Sequence, residues 1–313
     1  MASKLTGPKH IDSAMAFKSF WYGSFLSPRE WLCLKSFVDR GLPFHLYVYD
    51  DTLEVPEGVE LKDATALYDE DRVFFYQDGE SQGSVSAFSN MFRYKLLYEF
   101  GGWWVDMDVV YTGHPIPSDP PFFGWQRDGK VGSAILHVQE QGEVMRHCLE
   151  IAEQLGEEIE WGEAGPNLLT RVLREVGQAD QAVSSEYAYP VSWENAPSLY
   201  LPSKRTELEA RVRNTQAPFL HLWNESLNRA GIEKAIAPPK NSYLGKIART
   251  LDFDWSGAEV NYSPDNIERL AHHYRRSQQL DDARGKLNAI RNARLWKLVS
   301  TVRSLFGLPK LTE

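Results

Sequence analysis

The chain has 313 residues, 42% of them hydrophobic and 25% charged, and a net charge of −9. That length is enough for one large α/β domain or a domain with additions, and the acidic balance excludes a general nucleic-acid binder. Cys33 and Cys148 are the only cysteines, too few for a disulfide framework; no run approaches a membrane span and the N-terminus lacks an apolar leader, so a cytoplasmic protein is expected.

Ala14–Trp21 predicts a first strand. Ser27-Pro28-Arg29-Glu30 marks a helix start: Ser27 caps, Pro28 suits the first turn and Glu30 completes a capping box. The helix runs to about Asp39 and leaves through Gly41, and Phe44–Tyr49 alternates as a second strand ending at Asp50-Asp51. A βαβ unit of this kind favours a parallel sheet with a right-handed crossover. Ligands of such sheets collect at the carboxyl ends of the strands, where Trp21-Tyr22-Gly23 and Asp50 stand.

Gln77–Ser84 reads as a polar loop without the GK[ST] ending of a phosphate-cradling P-loop. A helix follows from about Ser86 to Phe100, with Asn90 and Arg93 on one face, and stops at Gly101-Gly102. The next run is extended and carries Asp106 and Asp108. Two apart on a strand, they share a face, roughly 6–7 Å apart at their Cα atoms. Paired carboxylates of this kind suit a hard divalent cation that also holds phosphate oxygens. The competing reading, two solvent-facing carboxylates at a strand end, fits poorly with the hydrophobic residues on both sides.

Arg93 is the natural anion partner, against a plain surface ion pair. Trp21 either stacks on a nucleobase or packs in the core. His221, in PFLHLWNES, either completes a metal site as neutral imidazole or is a hydrogen-bonded core residue. Beyond Tyr111 the stretch 114–123 is a proline-rich connection. Helices are predicted over Val144–Leu155 and Leu168–Glu175, a turn over Glu163–Asn167, and short strands over Tyr189–Trp193 and Phe219–Trp223. His272-His273 read as helix surface, and both cysteines as core thiols.

From Ser263 the character changes: this segment holds 10 Lys and Arg against 5 Asp and Glu, leaving −14 on the rest of a chain whose total is −9. Residues 1–262 are therefore expected to form the acidic main domain and 263–313 a basic tail. Leu295, Leu298, Val299, Val302, Leu305 and Phe306 repeat at helical spacing among Arg291, Arg294, Lys297 and Arg303. This amphipathic helix either docks on the body or lies on an anionic membrane surface.

Several blocks, in order, resemble glycosyltransferase family 32, the DXD-containing group that includes α-1,4-galactosyl- and α-1,4-N-acetylglucosaminyltransferases. They are FWYGS at 20–24, SNMFRYKLLYEFGGWWVDMDVV at 89–110, AGPNLLTRVL at 164–173 and FLHLWNES at 219–226. The segment 288–303 resembles an end piece attached to assorted bacterial glycosyltransferases. The resemblance implies an α/β protein of the GT-A type: a Rossmann-like α/β/α sandwich with a mixed, mostly parallel sheet and a C-terminal helical extension. It implies a nucleotide-sugar donor, UDP-linked, with Mn²⁺ or Mg²⁺, and transfer with retention of configuration.

By the same resemblance, Trp21 stacks on uracil with Tyr22 in the same nucleotide-sugar site, and Arg93 and Asn90 hold the donor sugar. Asp106 reaches ribose, sugar or metal; Asp108 coordinates the metal, and His221 sits near diphosphate and metal. Catalysis falls to Asp106, Asp108 and Arg93. One departure is Asn90, where the family usually has Asp; the amide keeps the shape and loses the charge. The acceptor is expected to be a bacterial surface glycan or its glycolipid precursor, met at the inner membrane face through the C-terminal helix. The rivals are a toxin-like protein glycosyltransferase, a metal-dependent nucleotide-sugar phosphohydrolase and a non-catalytic sugar-binding module.

Overall fold

A computed structural model of the chain describes residues 16–77, 82–159, 163–256, 258 and 260–292. The first half runs β1 (Phe17–Phe20), α1 (Pro28–Val38), β2 (Phe44–Val48), β3 (Val59–Asp63), α2 (Ser86–Phe100), β4 (Gly102–Val105), β5 (Val109–Tyr111), β6 (Phe122–Trp125), β7 (Val131–Val138) and α3 (Glu143–Leu155). The second half is largely helical: α4 (Leu168–Glu175), α5 (Ser185–Ala188), α6 (Arg205–Thr215), β8 (Phe219–His221), α7 (Asn224–Arg229), β9 (Ile236–Ala237), α8 (Tyr243–Thr250), β10 (Val260–Asn261) and α9 (Pro264–Asn292).

Six strands make the central sheet in the order β3-β2-β1-β4-β7-β6. β3, β2, β1 and β4 are mutually parallel; β7 runs antiparallel to β4, and β6 antiparallel to β7. This is the mixed, mostly parallel sheet of an α/β fold. Every residue of β1, β2 and β7 is buried, as expected for strands covered on both faces. On one face Phe20, Trp104 and Leu136 pack against Phe88, Phe92 and Leu96 of α2. On the other, Phe17, Phe44 and Trp103 meet Phe37 of α1 and Phe219 of β8. A further apolar cluster joins Tyr200, Leu220, Leu244 and Ile267 beneath the C-terminal helices.

Local signals place the site-bearing elements. α1 begins with the capping box read from Ser27 and Glu30: the Ser27 amide donates to Glu30 Oε2 at 3.0 Å, and the Ser27 hydroxyl bonds the same oxygen. At the other end of the sheet α2 must reverse sharply into β4. Gly101 does this with φ +55°, and a Cβ there would lie 2.5 Å from the Glu140 amide nitrogen.

Three predicted strands end differently. The first is shorter, Phe17–Phe20. Asp106–Asp108 is not strand: β4 stops at Val105, and Val109 N–H closes a turn onto Asp106 O at 3.1 Å. Tyr189–Trp193 is no strand either. There Pro190 O takes a bond from Arg211 Nη1 at 3.2 Å and Val191 O one from Trp223 Nε1 at 2.7 Å, so side chains satisfy carbonyls that a ladder would otherwise pair.

The predicted tail opens as α9 at Pro264, and its first turns dock on the body through buried Ile267, Ala271 and Tyr274. Leu280, Leu287 and Ile290 farther along are exposed. The apolar repeat at 295–306 lies outside the described residues. Among the described residues, no helix is long and apolar enough to cross a membrane.

Candidate active site

The Asp106-Met107-Asp108 turn sits at the carboxyl end of β4. Backbone bonds pin both sides of it: Asp106 N–H donates to Ala134 O of β7 at 2.8 Å, and Leu222 N–H donates to Asp108 O at 2.8 Å. β5 then pairs antiparallel with β8 in a register that sets Val109 opposite His221. The pairing carries His221 to the turn from more than a hundred residues away.

The carboxylates have distinct environments. Asp106 Oδ1 accepts from Arg93 Nη2 at 2.5 Å and from Trp104 Nε1 at 2.7 Å. Arg93 is buried, bonds Asn90 Oδ1 through Nη1, and lies with its guanidinium 4.8 Å from the centre of the Trp104 ring. Asn90 and Arg93 thus share one helix face, as their spacing predicts, and together orient Asp106. Asp108 is closer to the second half of the chain: Oδ1 lies 3.0 Å from His221 Nε2, and Oδ2 accepts from Asn224 N–H, the first residue of α7, at 2.8 Å. Burial alone pushes the Asp108 carboxyl up; His221, the Asn224 amide and Lys234 outweigh it and hold the group at about 2.

One ligand atom from each of Asp106, Asp108 and His221 falls within 4.8 Å of the others. Two carboxylates and an imidazole form a donor set suited to a divalent cation. His221 Nδ1 is buried without a hydrogen-bond partner among the described residues, and the ring centre stands 3.9 Å from that of Trp223. Trp223 itself adopts a left-handed conformation, φ +59°, which ends β8 and starts α7. The residues present therefore fit a divalent cation.

All seven residues predicted for the site, Trp21, Tyr22, Asn90, Arg93, Asp106, Asp108 and His221, line one cavity of about 710 Å³. Trp21 stands at the end of β1, with its indole N–H buried and without a partner among the described residues. Gly165 approaches Asn90 closely; a Cβ there would contact the amide at 3.7 Å. Sequence reasoning overlooked Glu30, Asn224 and Lys234 on the same wall. Glu30 was read only as a helix cap and Asn224 only as part of a motif block. Lys234 carried no signal, because its place depends on the chain path after α7.

Comparison with known proteins bears on the same region. The Alpha 1,4-glycosyltransferase conserved region matches residues 137–251, which hold His221, Asn224 and Lys234. Lactosylceramide 4-alpha-galactosyltransferase of Mus musculus is 26% identical over 162 residues, 48% of this chain and 44% of that protein. The Pongo pygmaeus protein of the same name is 26% identical over 153 residues, 45% of this chain and 68% of that protein. The match to the mouse protein thus takes in less than half of its length. Among solved structures, PaToxG Glycosyltransferase superposes with a TM-score of 0.39 at 12% identity, covering 83% of this chain and 86% of that one. The chain is thus similar, over residues 137–251, to the alpha 1,4-glycosyltransferase conserved region, and more distantly to the galactosyltransferases named, in keeping with its motif blocks.

Proposed function

We propose that this protein is a metal-dependent retaining glycosyltransferase that moves a hexose or N-acetylhexosamine from a UDP-sugar to a hydroxyl of a glycan or glycolipid. The observation that carries this reading is the convergence of Asp106, Asp108 and His221 on the cavity that Trp21 and Arg93 also line. Asp106, Asp108 and His221 would hold Mn²⁺ or Mg²⁺, which when bound supplies charge neutralisation for a diphosphate leaving group.

The remaining steps belong to the chain's own residues. Trp21 stacks on the base with Tyr22 beside it, as an aromatic platform suits a flat ring. Arg93, held by Asn90 and Asp106, presents its fork to donor-sugar hydroxyls or phosphate. In the transfer, the bond from the sugar C1 to the β-phosphate oxygen breaks and its electron pair leaves with UDP. The acceptor oxygen forms the new bond to C1 on the same face, and its proton passes to a phosphate oxygen, so no separate base is required. Asn90 changes the charge beside the donor sugar relative to the Asp of the resembling family, which bears on donor choice.

The acceptor we propose is a bacterial surface glycan or its lipid-linked precursor, approached by a cytoplasmic enzyme at the inner membrane face. The support is the exposed apolar residues Leu280, Leu287 and Ile290 on α9, with Arg284, Lys286 and Arg291 among them.

The test is a thermal-shift and turnover screen of nucleotide sugars with Mn²⁺ and with EDTA. A ligand at 100 times its Kd adds about 2.7 kcal/mol of apparent stability. One UDP-sugar should stabilise the protein with Mn²⁺ and transfer only when an acceptor is supplied. Cleavage of nucleotide sugars without acceptor, indifferent to the base, would instead mark a phosphohydrolase, and binding without turnover a sugar-binding module.

A further inference from the structure

Lys234 is the cation of the cavity wall that none of the roles above uses. Its Nζ lies 2.7 Å from Glu30 Oε1 and 5.2 Å from the centre of the Trp21 ring. The Glu30 side chain is 1% exposed, whereas that of Lys234 is 34% exposed. The lysine is thus tethered at one side and open to the cavity at the other. Glu30 is itself fixed, through its capping bond to Ser27 and through Asn224 Nδ2, which donates to Oε1 at 3.2 Å. Asn224 in turn donates its amide N–H to Asp108. A chain of contacts therefore runs from Trp21 through Lys234, Glu30 and Asn224 to Asp108.

That placement has a chemical meaning. An ammonium group has three donors, of which Glu30 takes one. A ligand that lays a flat ring on Trp21 and reaches toward Asp106, Asp108 and His221 must cross the interval between them, and Lys234 is the positive charge linked to both ends. We propose that Lys234 is a binding residue for the diphosphate of a nucleoside diphosphate. Glu30 acts as its positioning residue, holding the ammonium over the cavity wall so that it need not be ordered when the ligand arrives. This rests on the nucleotide-sugar reading of the cavity. A lysine that merely neutralises the buried Glu30 carboxylate makes a different prediction, because its removal would then be indifferent to the ligand's phosphates.

The experiment compares UDP with uridine by calorimetry in EDTA, so that no metal contributes. For Lys234→Met, UDP affinity should fall about 10- to 100-fold, the scale of one lost charge-assisted hydrogen bond. Uridine affinity should stay within about twofold, and Lys234→Arg should recover most of the UDP binding. Equal weakening of both ligands, or of neither, overturns the proposal. A second measurement uses the unaltered protein: amine acetylation followed by mass spectrometry should show Lys234 protected by UDP and not by uridine. Equal protection by both also overturns it. Should the protein bind neither ligand, even with Mn²⁺ restored, the nucleotide-sugar reading itself fails, and Lys234 with it.

Discussion

His137 offers a test of the sheet that carries the acidic turn. It lies on β7 opposite Trp103 of β4, and the two rings stack with centres 4.4 Å apart at 11°. Burial first, and Lys18 second, push its imidazole down from 6.5 to about 4, with Asp119 opposing weakly. An unfolded chain takes up a proton as pH falls below the ordinary histidine value, and the folded protein does not until much lower. The contribution is therefore complete above pH 6.5 and is lost as pH falls toward 4. Between pH 7 and 4.5 this one residue should remove about 2 kcal/mol of stability. His137→Phe keeps a ring on Trp103 and removes the proton site. Urea unfolding of both proteins at the two pH values gives the readout, because carboxylates that titrate in the same range cancel in the comparison. The variant should lose about 2 kcal/mol less than the native protein on acidification. If the two proteins lose the same amount within about 0.5 kcal/mol, the imidazole titrates normally and the burial reasoning is wrong.

The other predictions bear on the site and its supports. Asp108→Ala should lower transfer by about 100- to 1000-fold, the usual cost of removing one electrostatic group aimed at a reacting centre, with circular dichroism unchanged; near-native turnover in EDTA would refute the metal role. Gly101→Ala puts a Cβ 2.5 Å from a backbone nitrogen at φ +55°, so the loss should reach about 3 kcal/mol or more in denaturant unfolding, with activity falling in parallel. Replacing Leu280, Leu287 and Ile290 together by Glu should reduce co-flotation with vesicles containing anionic phosphatidylglycerol and leave transfer to a soluble acceptor unchanged; equal flotation of both forms argues against membrane contact.

Much of the front half was legible because its signals are local. The Ser27–Glu30 box, the glycine stop after α2 and the apolar β2 run each act within a few residues, and each predicted its element. The site was legible for a second reason: strand ends gather at one edge of a parallel sheet, so Trp21 and the Asp106–Asp108 segment had to be neighbours. The stated cause of carboxylate convergence was nevertheless wrong. A turn, not strand alternation, brings them together, and turn formation there depends on bonds to Ala134 and Leu222 that no short window contains. β7 escaped notice because Gly132 and Ser133 interrupt its apolar run. Gly132 is needed there because a Cβ would come 2.3 Å from the Tyr189 hydroxyl, a contact made across the fold. Lys234 and Glu30 were out of reach for the same reason: an ion pair between residues so distant in sequence has no periodicity to betray it.

The antiparallel pairing of Val109 with His221 has a consequence for how this protein acquires its chemistry. Asp108 and His221 stand 113 positions apart along the chain, so closing that gap carries a large ordering cost before any compensating contact exists. A growing polypeptide that has completed the six-stranded sheet still lacks the imidazole wall until residues 219–221 emerge and zip onto 109–111. The contact between Asp108 and His221 should therefore form late, after the six-stranded sheet that holds the acidic turn.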